Sequence, residues 1–196
     1  MDLEYGNGYF DGDIMFEYQK GSVISEVIEN VERIGELDFD SRWIPSHTWV
    51  VTGQATGVEA STEGVAKFPL GKYLDNLKCQ VMVCRPPDIT TITISQMLAT
   101  ANLLASQGLD YDYSGLVGDA LEAFTFLDQV IPALREVANP LHNQHALFCS
   151  ALVATILNST TQYHGFPPMD RNAVSKIGPD MLMRQFPFER RIFFKE

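Results

Sequence analysis

Short apolar runs bounded by turn residues fill the first 90 residues of the chain, and this pattern predicts β-strands. Five runs fit the description: GDIMFEY, SHTWVVTG, GVEAST, GVAKF and KCQVMVCRP. The second and third surround a turn at Gly53. PLGKYLDNL is expected to form one helical turn. GSVISEVIENVERIGELD is expected to form a helix, because its valines and isoleucines recur at helical spacing with acidic residues between them.

Apolar residues at helical spacing dominate the second half of the chain. Three helices are expected there: TISQMLATANLLASQG, LVGDALEAFTFLDQVIPALREVANP and HNQHALFCSALVATIL. The first has a cap at Thr93 or Ser95 and ends before Gly108, the second is one helix or two broken at Pro132, and the third ends at Pro167. IGPDMLMRQFPFERRIFF predicts a short helical turn and a terminal strand. The whole pattern predicts a single α+β domain over residues 1–196, with a curved antiparallel sheet packed on helices.

Composition narrows the classes of function. The chain has 196 residues, 45% of them hydrophobic, and a net charge of −11. This charge repels a phosphate backbone or an anionic membrane, so we expect no nucleic-acid partner. No apolar leader opens the chain, and no stretch approaches the roughly 18 apolar residues of a membrane span, so we expect a cytoplasmic protein. Cys79 and Cys84 lie five residues apart, on opposite faces of a strand, and reduced thiols are expected.

Cys149 has three possible roles. In the apolar stretch ALFCSALVATIL it could be an ordinary core residue. His142, His145 and Cys149 lie on one face of a helix and could bind zinc, although no fourth ligand is evident. Cys149 could also be a nucleophile, because a helix N-terminus and a neighbouring imidazolium both stabilise a thiolate. The helix dipole contributes only if the helix begins near Leu147.

His47 begins the predicted strand that leads into the turn at Gly53. A histidine in such a strand is often a structural residue with a satisfied hydrogen bond. Glu59 lies on the returning strand, and a hairpin with an odd-numbered loop centred on Gly53 would place Glu59 opposite His47. A carboxylate there could orient the imidazole and stabilise its cation. A two-residue loop would instead place the two side chains on opposite faces.

Three groups of motifs occur in a particular order along the chain. GDIMF comes first, SHTWVV with GVEAS and GV second, and YDYSG with FCSALV third, and GPDML follows near the end. In this order the set resembles the circularly permuted branch of the papain-fold cysteine hydrolases, the NlpC-type, YiiX-like group. Ordinary members carry Cys before His, whereas the permuted branch carries His and a polar residue before Cys. The loops and residues 116–138 carry no resemblance.

The resemblance implies a papain-like fold and a catalytic triad. Cys149 would be the nucleophile, His47 the general base and acid, and Glu59 the orienting residue, with Tyr111 near the oxyanion site. Tyr111, Asp112 and Tyr113 fit equally well in a loop packed by aromatic rings.

The function implied is a cysteine amidase or peptidase that acts on a small peptide or acyl-amide and needs no cofactor. Three alternatives stay open. They are an acyltransferase or thioesterase acting on lipid-like chains, the zinc protein described above, and a catalytically inactive papain-like binding module.

Overall fold

The computed structural model describes residues 3–19, 45–109, 149–165 and 178–193. Within them lies a six-stranded sheet with the strand order β4-β3-β2-β1-β5-β6. All neighbouring strands are antiparallel. The strands are β1 (Ile14–Gln19), β2 (His47–Gly53), β3 (Thr56–Ser61), β4 (Gly64–Pro69), β5 (Cys79–Arg85) and β6 (Glu189–Phe193).

Four helices accompany the sheet in the described part of the chain: α1 (Gly71–Leu74), α2 (Thr91–Gln107), α3 (Cys149–Asn158) and α4 (Pro179–Gln185). The predicted mixture of helices with an antiparallel sheet is therefore confirmed. None of these helices is long and apolar enough to cross a membrane. The helices expected over residues 21–38 and 116–140 lie outside the described residues.

The two faces of the sheet carry separate hydrophobic clusters. Alternation along β1 sends Ile14 and Phe16 to the face that α3 covers, and Met15 to the other face, where Tyr73 of α1 packs. The cysteines of β5 follow the same rule, since Cys84 belongs to the first cluster and Cys79 to the second. Their predicted placement on opposite faces is confirmed, and both are buried thiols.

A shift of register in the β2–β3 hairpin decides which residues share a face. Gly53 pairs with Thr56 around a two-residue loop, whereas Val51 pairs with Gly57 and Val50 with Val58. Thr52 is thus one extra residue on β2, in the manner of a β-bulge. The loop alone would separate His47 and Glu59, and the extra residue returns them to one face. Neither of the two simple hairpins considered from the sequence is the observed one.

The capping residue of α2 is Thr90, one turn earlier than expected. Its hydroxyl accepts from the Thr93 backbone N–H at 3.1 Å, so neither Thr93 nor Ser95 is the cap. Gly108 follows the helix with φ of 58°, as the sequence predicted. The two ends of the helix are therefore fixed by one side chain and one left-handed residue.

The helix that begins the described segment at Cys149 ends at Asn158 and does not continue to Pro167. Thr160 explains the early end, because its hydroxyl donates to the Leu157 carbonyl at 2.8 Å and accepts from the Tyr163 N–H at 3.1 Å. Short polar side chains compete in this way with helical backbone bonds. Side chains of α2 then hold the turn that follows, for example Thr100 against Ser159 at 2.8 Å.

The start of β1 is fixed by Gly12 and Asp13. Gly12 has φ of 81°, a conformation that suits glycine, and its N–H donates to Val51. The Asp13 carboxylate accepts two bonds from the Arg85 guanidinium, at 2.8 and 2.7 Å, and one from the Phe10 N–H at 2.8 Å. This buried fork ties the start of β1 to β5, so both residues have structural roles.

Gly57 lets the ring of Phe68 lie directly against β3. A Cβ at residue 57 would lie 2.7 Å from the Phe68 ring, so we expect Gly57→Ala to lower the unfolding free energy by about 1–3 kcal/mol. Gly53→Ala is the matched control, because its Cβ would meet only the hydroxyl of exposed Thr56, which can rotate away. Urea unfolding measures both. Equal losses in the two variants would contradict this account of Gly57.

Candidate active site

His47 and Glu59 form a hydrogen-bonded pair on one face of the sheet. His47 Nε2 lies 2.9 Å from Glu59 Oε2. The Glu59 side chain is only 3% exposed and that of His47 15% exposed. Because Nε2 is engaged by the carboxylate, Nδ1 is the ring nitrogen left for another partner.

Two residues of α1 complete the surroundings of Glu59. Lys72 Nζ donates to Oε1 at 2.5 Å, and the Tyr73 hydroxyl donates to Oε2 at 2.6 Å. Glu59 therefore accepts from three side chains, two of them charged donors when His47 is protonated. The sequence predicted the helical turn that carries Lys72 and Tyr73, but no pattern in it indicated that their side chains reach β3.

Aromatic rings enclose the pair on the same face. Tyr73 stacks on Trp49 with ring centroids 4.4 Å apart and an interplanar angle of 16°. The His47 ring lies 5.8 Å from Trp49 and 5.6 Å from Tyr73. These contacts bury most of the imidazole and restrict its rotation, so the orientation of His47 is set by packing as well as by Glu59.

Cys149, at the start of α3, is the second side-chain partner of His47. It is the first described residue of α3, which packs against β2 and β3. Its side chain is 2% exposed and forms a hydrogen bond with His47. The structure thus brings Cys149, His47 and Glu59 together, the three residues that the sequence selected, with the imidazole in the middle.

The charges of the pair stabilise each other. Burial disfavours a charged imidazole, but contacts with Cys149 and Glu59 outweigh burial and raise the pKa of His47 to about 10. Burial likewise opposes ionisation of Glu59, yet bonds from His47, Lys72 and Tyr73 lower the pKa of Glu59 to about 2. Burial, followed by the Glu59 charge, raises the pKa of Tyr73. At neutral pH the site therefore holds an imidazolium and a carboxylate, with Tyr73 as a neutral donor.

Glu17 is a second buried carboxyl group in this region, and the sequence analysis did not identify it. It is the β1 residue that pairs with His47 across the sheet. Its side chain is 2% exposed. The signal was available in the alternation of β1, since Glu17 falls on the same face as buried Met15.

The other predicted site residues have different positions. Tyr111, His142 and His145 lie outside the described residues, as does any part of the helix before Cys149. Among the residues that the structure describes, no three His, Cys, Asp or Glu side chains form a group that could hold a metal ion. His164 is exposed, and its Nδ1 lies 3.1 Å from the Asn158 carbonyl oxygen.

The chain was compared with known proteins at the level of family, sequence and structure. No family model matches it, and no curated protein or solved structure matches it either.

The site is more than a structural ion pair. The thiol of Cys149, the imidazole of His47 and the carboxylate of Glu59 come from three separate elements. The imidazole lies between the other two groups and is protonated at neutral pH. The thiolate is the nucleophilic form of cysteine. The arrangement can generate a nucleophile and then supply a proton from the same ring.

The pKa values predict how stability depends on pH. Because the pKa of His47 rises from 6.5 to about 10 on folding, the stability it contributes is complete below pH 6.5 and is lost as pH rises through 10. We expect the stability advantage of the wild type over His47→Gln to shrink over this range, by at most about 1.4 kcal/mol per pH unit. Denaturant unfolding at several pH values measures this difference.

Glu59 provides the matching test at acidic pH. Its pKa falls from 4.5 to about 2 on folding, so its stabilising contribution is present above pH 4.5 and is lost as pH falls toward 2. The advantage over Glu59→Gln should therefore shrink on acidification, opposite to the His47 result. Differences that stay constant with pH in both variants would contradict the assigned charges.

Proposed function

We propose that this protein is a thiol hydrolase that cleaves an amide bond through Cys149, His47 and Glu59. One observation carries the proposal: a single imidazole contacts a buried carboxylate at 2.9 Å through Nε2 and also bonds the side chain of Cys149. Nucleophile, base and orienting group occupy three elements that meet only in the folded chain. Core cysteines and structural histidines do not require such an alignment.

The fold supports a more specific assignment within this proposal. His47 and Glu59 lie on adjacent antiparallel strands and precede the helix that carries Cys149. We assign the chain to the permuted papain-like hydrolases on this order of elements and residues. In that assignment the antiparallel sheet supplies the base and its partner, and α3 supplies the nucleophile.

The first chemical step is acylation. The Cys149 thiolate attacks the amide carbonyl carbon, a C–S bond forms, and the carbonyl electrons move to oxygen. The Cys149 backbone N–H and a second donor, assigned to Tyr111, stabilise this oxyanion. As the C–N bond breaks, His47 transfers its proton to the leaving nitrogen, and a thioester and a free amine result.

The second step is deacylation. Neutral His47 takes a proton from water, and the hydroxide formed attacks the thioester carbonyl. The C–S bond breaks, the sulfur leaves as a thiolate, and the protonated imidazole is restored beside it. The cycle needs no cofactor, and every proton passes through His47.

Lys72 and Tyr73 keep Glu59 in its role. A carboxylate with three donors stays ionised and fixed, so it can hold the His47 ring through both steps. Because Lys72 lies on the other carboxylate oxygen, its charge offsets that of Glu59 without competing for His47. We assign both residues as supports of the carboxylate.

Selective alkylation tests the nucleophile. All three cysteines are buried, but Cys149 bonds an imidazole, so iodoacetamide at pH 7 should label Cys149 well before Cys79 and Cys84. Peptide mass spectrometry over a time course gives the three rates. His47→Ala should remove the preference. If Cys149 is labelled no faster than Cys79 and Cys84, it is an ordinary core residue and not a nucleophile.

Variants of the triad test the division of roles. Cys149→Ala and His47→Ala should each lower kcat at least about a thousandfold, because nucleophile and base act as one unit. Glu59→Gln should retain part of the activity, about 10- to 1,000-fold below wild type, since an amide oxygen still holds the ring but does not stabilise its charge. The measurement is hydrolysis of an acyl anilide and of the matching thioester.

Two matched controls accompany these variants. Cys84→Ala removes a buried thiol of the first hydrophobic cluster, on the face of the sheet away from His47 and Glu59, and His164→Ala removes an exposed imidazole. Both should retain activity. Full activity of His47→Ala would overturn the proposal. Hydrolysis of the thioester but not of the anilide would favour the alternative of a thioesterase or acyltransferase.

A further inference from the structure

Glu17 occupies a defined position relative to the proposed base. The strand order places β2 between β1 and β3. Glu17 of β1 is the direct cross-strand partner of His47, and Glu59 of β3 bonds His47 from the other side. Directly opposed side chains on antiparallel strands have Cβ atoms about 4.5–5.5 Å apart. His47 is therefore flanked by two carboxyl groups on the same face of the sheet.

The two carboxyl groups differ in their hydrogen bonds. Glu59 accepts from His47, Lys72 and Tyr73. Within the described part of the chain, Glu17 Oε1 is buried and has no hydrogen-bond partner. The Cys79 thiol is a hydrogen-bond partner of the Glu17 side chain. A buried carboxyl group with so few donors is costly in its charged form.

We propose that Glu17 is a positioning residue that acts through His47, holding the imidazole more firmly in its protonated form whenever Glu17 is ionised. Ionised Glu17 adds a second negative charge beside the ring. Protonated Glu17 leaves Glu59 as the carboxylate that acts on His47. Among the residues that the structure describes, the titratable or charged groups that face Glu17 are His47 on β2, Glu59 on β3, Lys72 and Tyr73 on α1, and Cys79 on β5.

The surroundings of Glu17 shift its ionisation to higher pH. Burial raises the pKa of Glu17, and the attraction of His47 and the bond from Cys79 only partly oppose it. Glu17 thus loses its proton at a higher pH than an ordinary glutamate, while His47 is still protonated. The charge beside the base therefore changes within the range in which the imidazolium exists.

The consequence for catalysis rests on the proposed function. In acylation His47 must release a proton to the leaving nitrogen, and an ionised Glu17 opposes that release by stabilising the cation. The effect should be large for an anilide, which needs the proton, and small for a thioester, whose thiolate leaves without one. Glu17 thereby acts on one step and not on substrate binding, so kcat changes and KM does not.

Nuclear magnetic resonance of the imidazole nitrogens tests the electrostatic contact without any substrate. Glu17→Gln keeps the shape of the side chain and removes its charge, and it should lower the pKa of His47 by about one pH unit. Glu189→Gln is the matched control, because this exposed residue on β6 lies opposite Arg85, far along the sheet from His47. An unchanged His47 titration in Glu17→Gln overturns the proposal.

A measurement on the wild type guards against a variant that fails to fold. The side-chain carboxyl carbon of Glu17 and the ring nitrogens of His47 should show an inflection at the same pH, below the titration of the ring itself. If the His47 signals show no inflection where Glu17 titrates, the two groups are not coupled and the proposal is wrong.

Kinetics then separate this proposal from the proposed function. At a pH where Glu17 is ionised, Glu17→Gln should raise the ratio of anilide to thioester kcat severalfold, and at a pH where Glu17 is protonated the ratio should match the wild type. An unchanged ratio at both pH values would contradict the claim that Glu17 affects acylation through His47. If the wild type hydrolyses neither substrate, the proposed function fails, while the His47 titration still decides the role of Glu17.

Discussion

A negative charge inside the protein, on Glu59, is the feature on which the site depends. A buried carboxylate is tolerated only when donors and positive charge replace the water it has lost. Here His47, Lys72 and Tyr73 provide that replacement, and they come from two parts of the fold. The hairpin provides the histidine, and a single turn of helix after β4 provides the other two. Without this set of donors, the carboxyl group would take up a proton and leave His47 without a counter-charge.

The same set explains why so short a helix is retained. Four residues are too few to be stable alone, so α1 is held by its contacts. The Tyr73 ring stacks on Trp49 with centroids 4.4 Å apart and makes an edge contact with Phe68. Its hydroxyl donates to Glu59. The second hydrophobic cluster and the polar site therefore share one residue. Packing of the rings and orientation of the carboxylate are coupled through Tyr73.

Much of this arrangement could be predicted from the sequence, and the reasons for the rest are specific. Strand positions followed from apolar runs between turn residues, and Gly108 marked the end of α2 because glycine adopts left-handed backbone readily. His47 and Glu59 could be selected as a pair. Their common face could not be decided, because it depends on Thr52, and nothing in a threonine distinguishes a bulge residue from an ordinary strand residue.

Lys72 and Glu17 illustrate a second limit of sequence reasoning. Each lies in an element that was correctly predicted, and each looks like an ordinary polar residue beside apolar neighbours. Their positions against Glu59 and His47 depend on tertiary packing between strands distant in the chain. The register of β1 against β2, which opposes Glu17 to His47, is set across a separation of 30 residues that no local pattern encodes.

The order of the site residues along the chain has a consequence for biosynthesis. His47 and Glu59 belong to one hairpin and can meet as soon as that hairpin forms, since closure of a short loop is fast. Cys149 lies 90 residues after Glu59, so during translation His47 and Glu59 are synthesised well before it. A nascent chain that ends between Glu59 and Cys149 therefore contains the imidazole and the carboxylate of the site without Cys149. Chemistry of the proposed kind therefore cannot begin before Cys149 has been synthesised and has joined the hairpin in the folded chain.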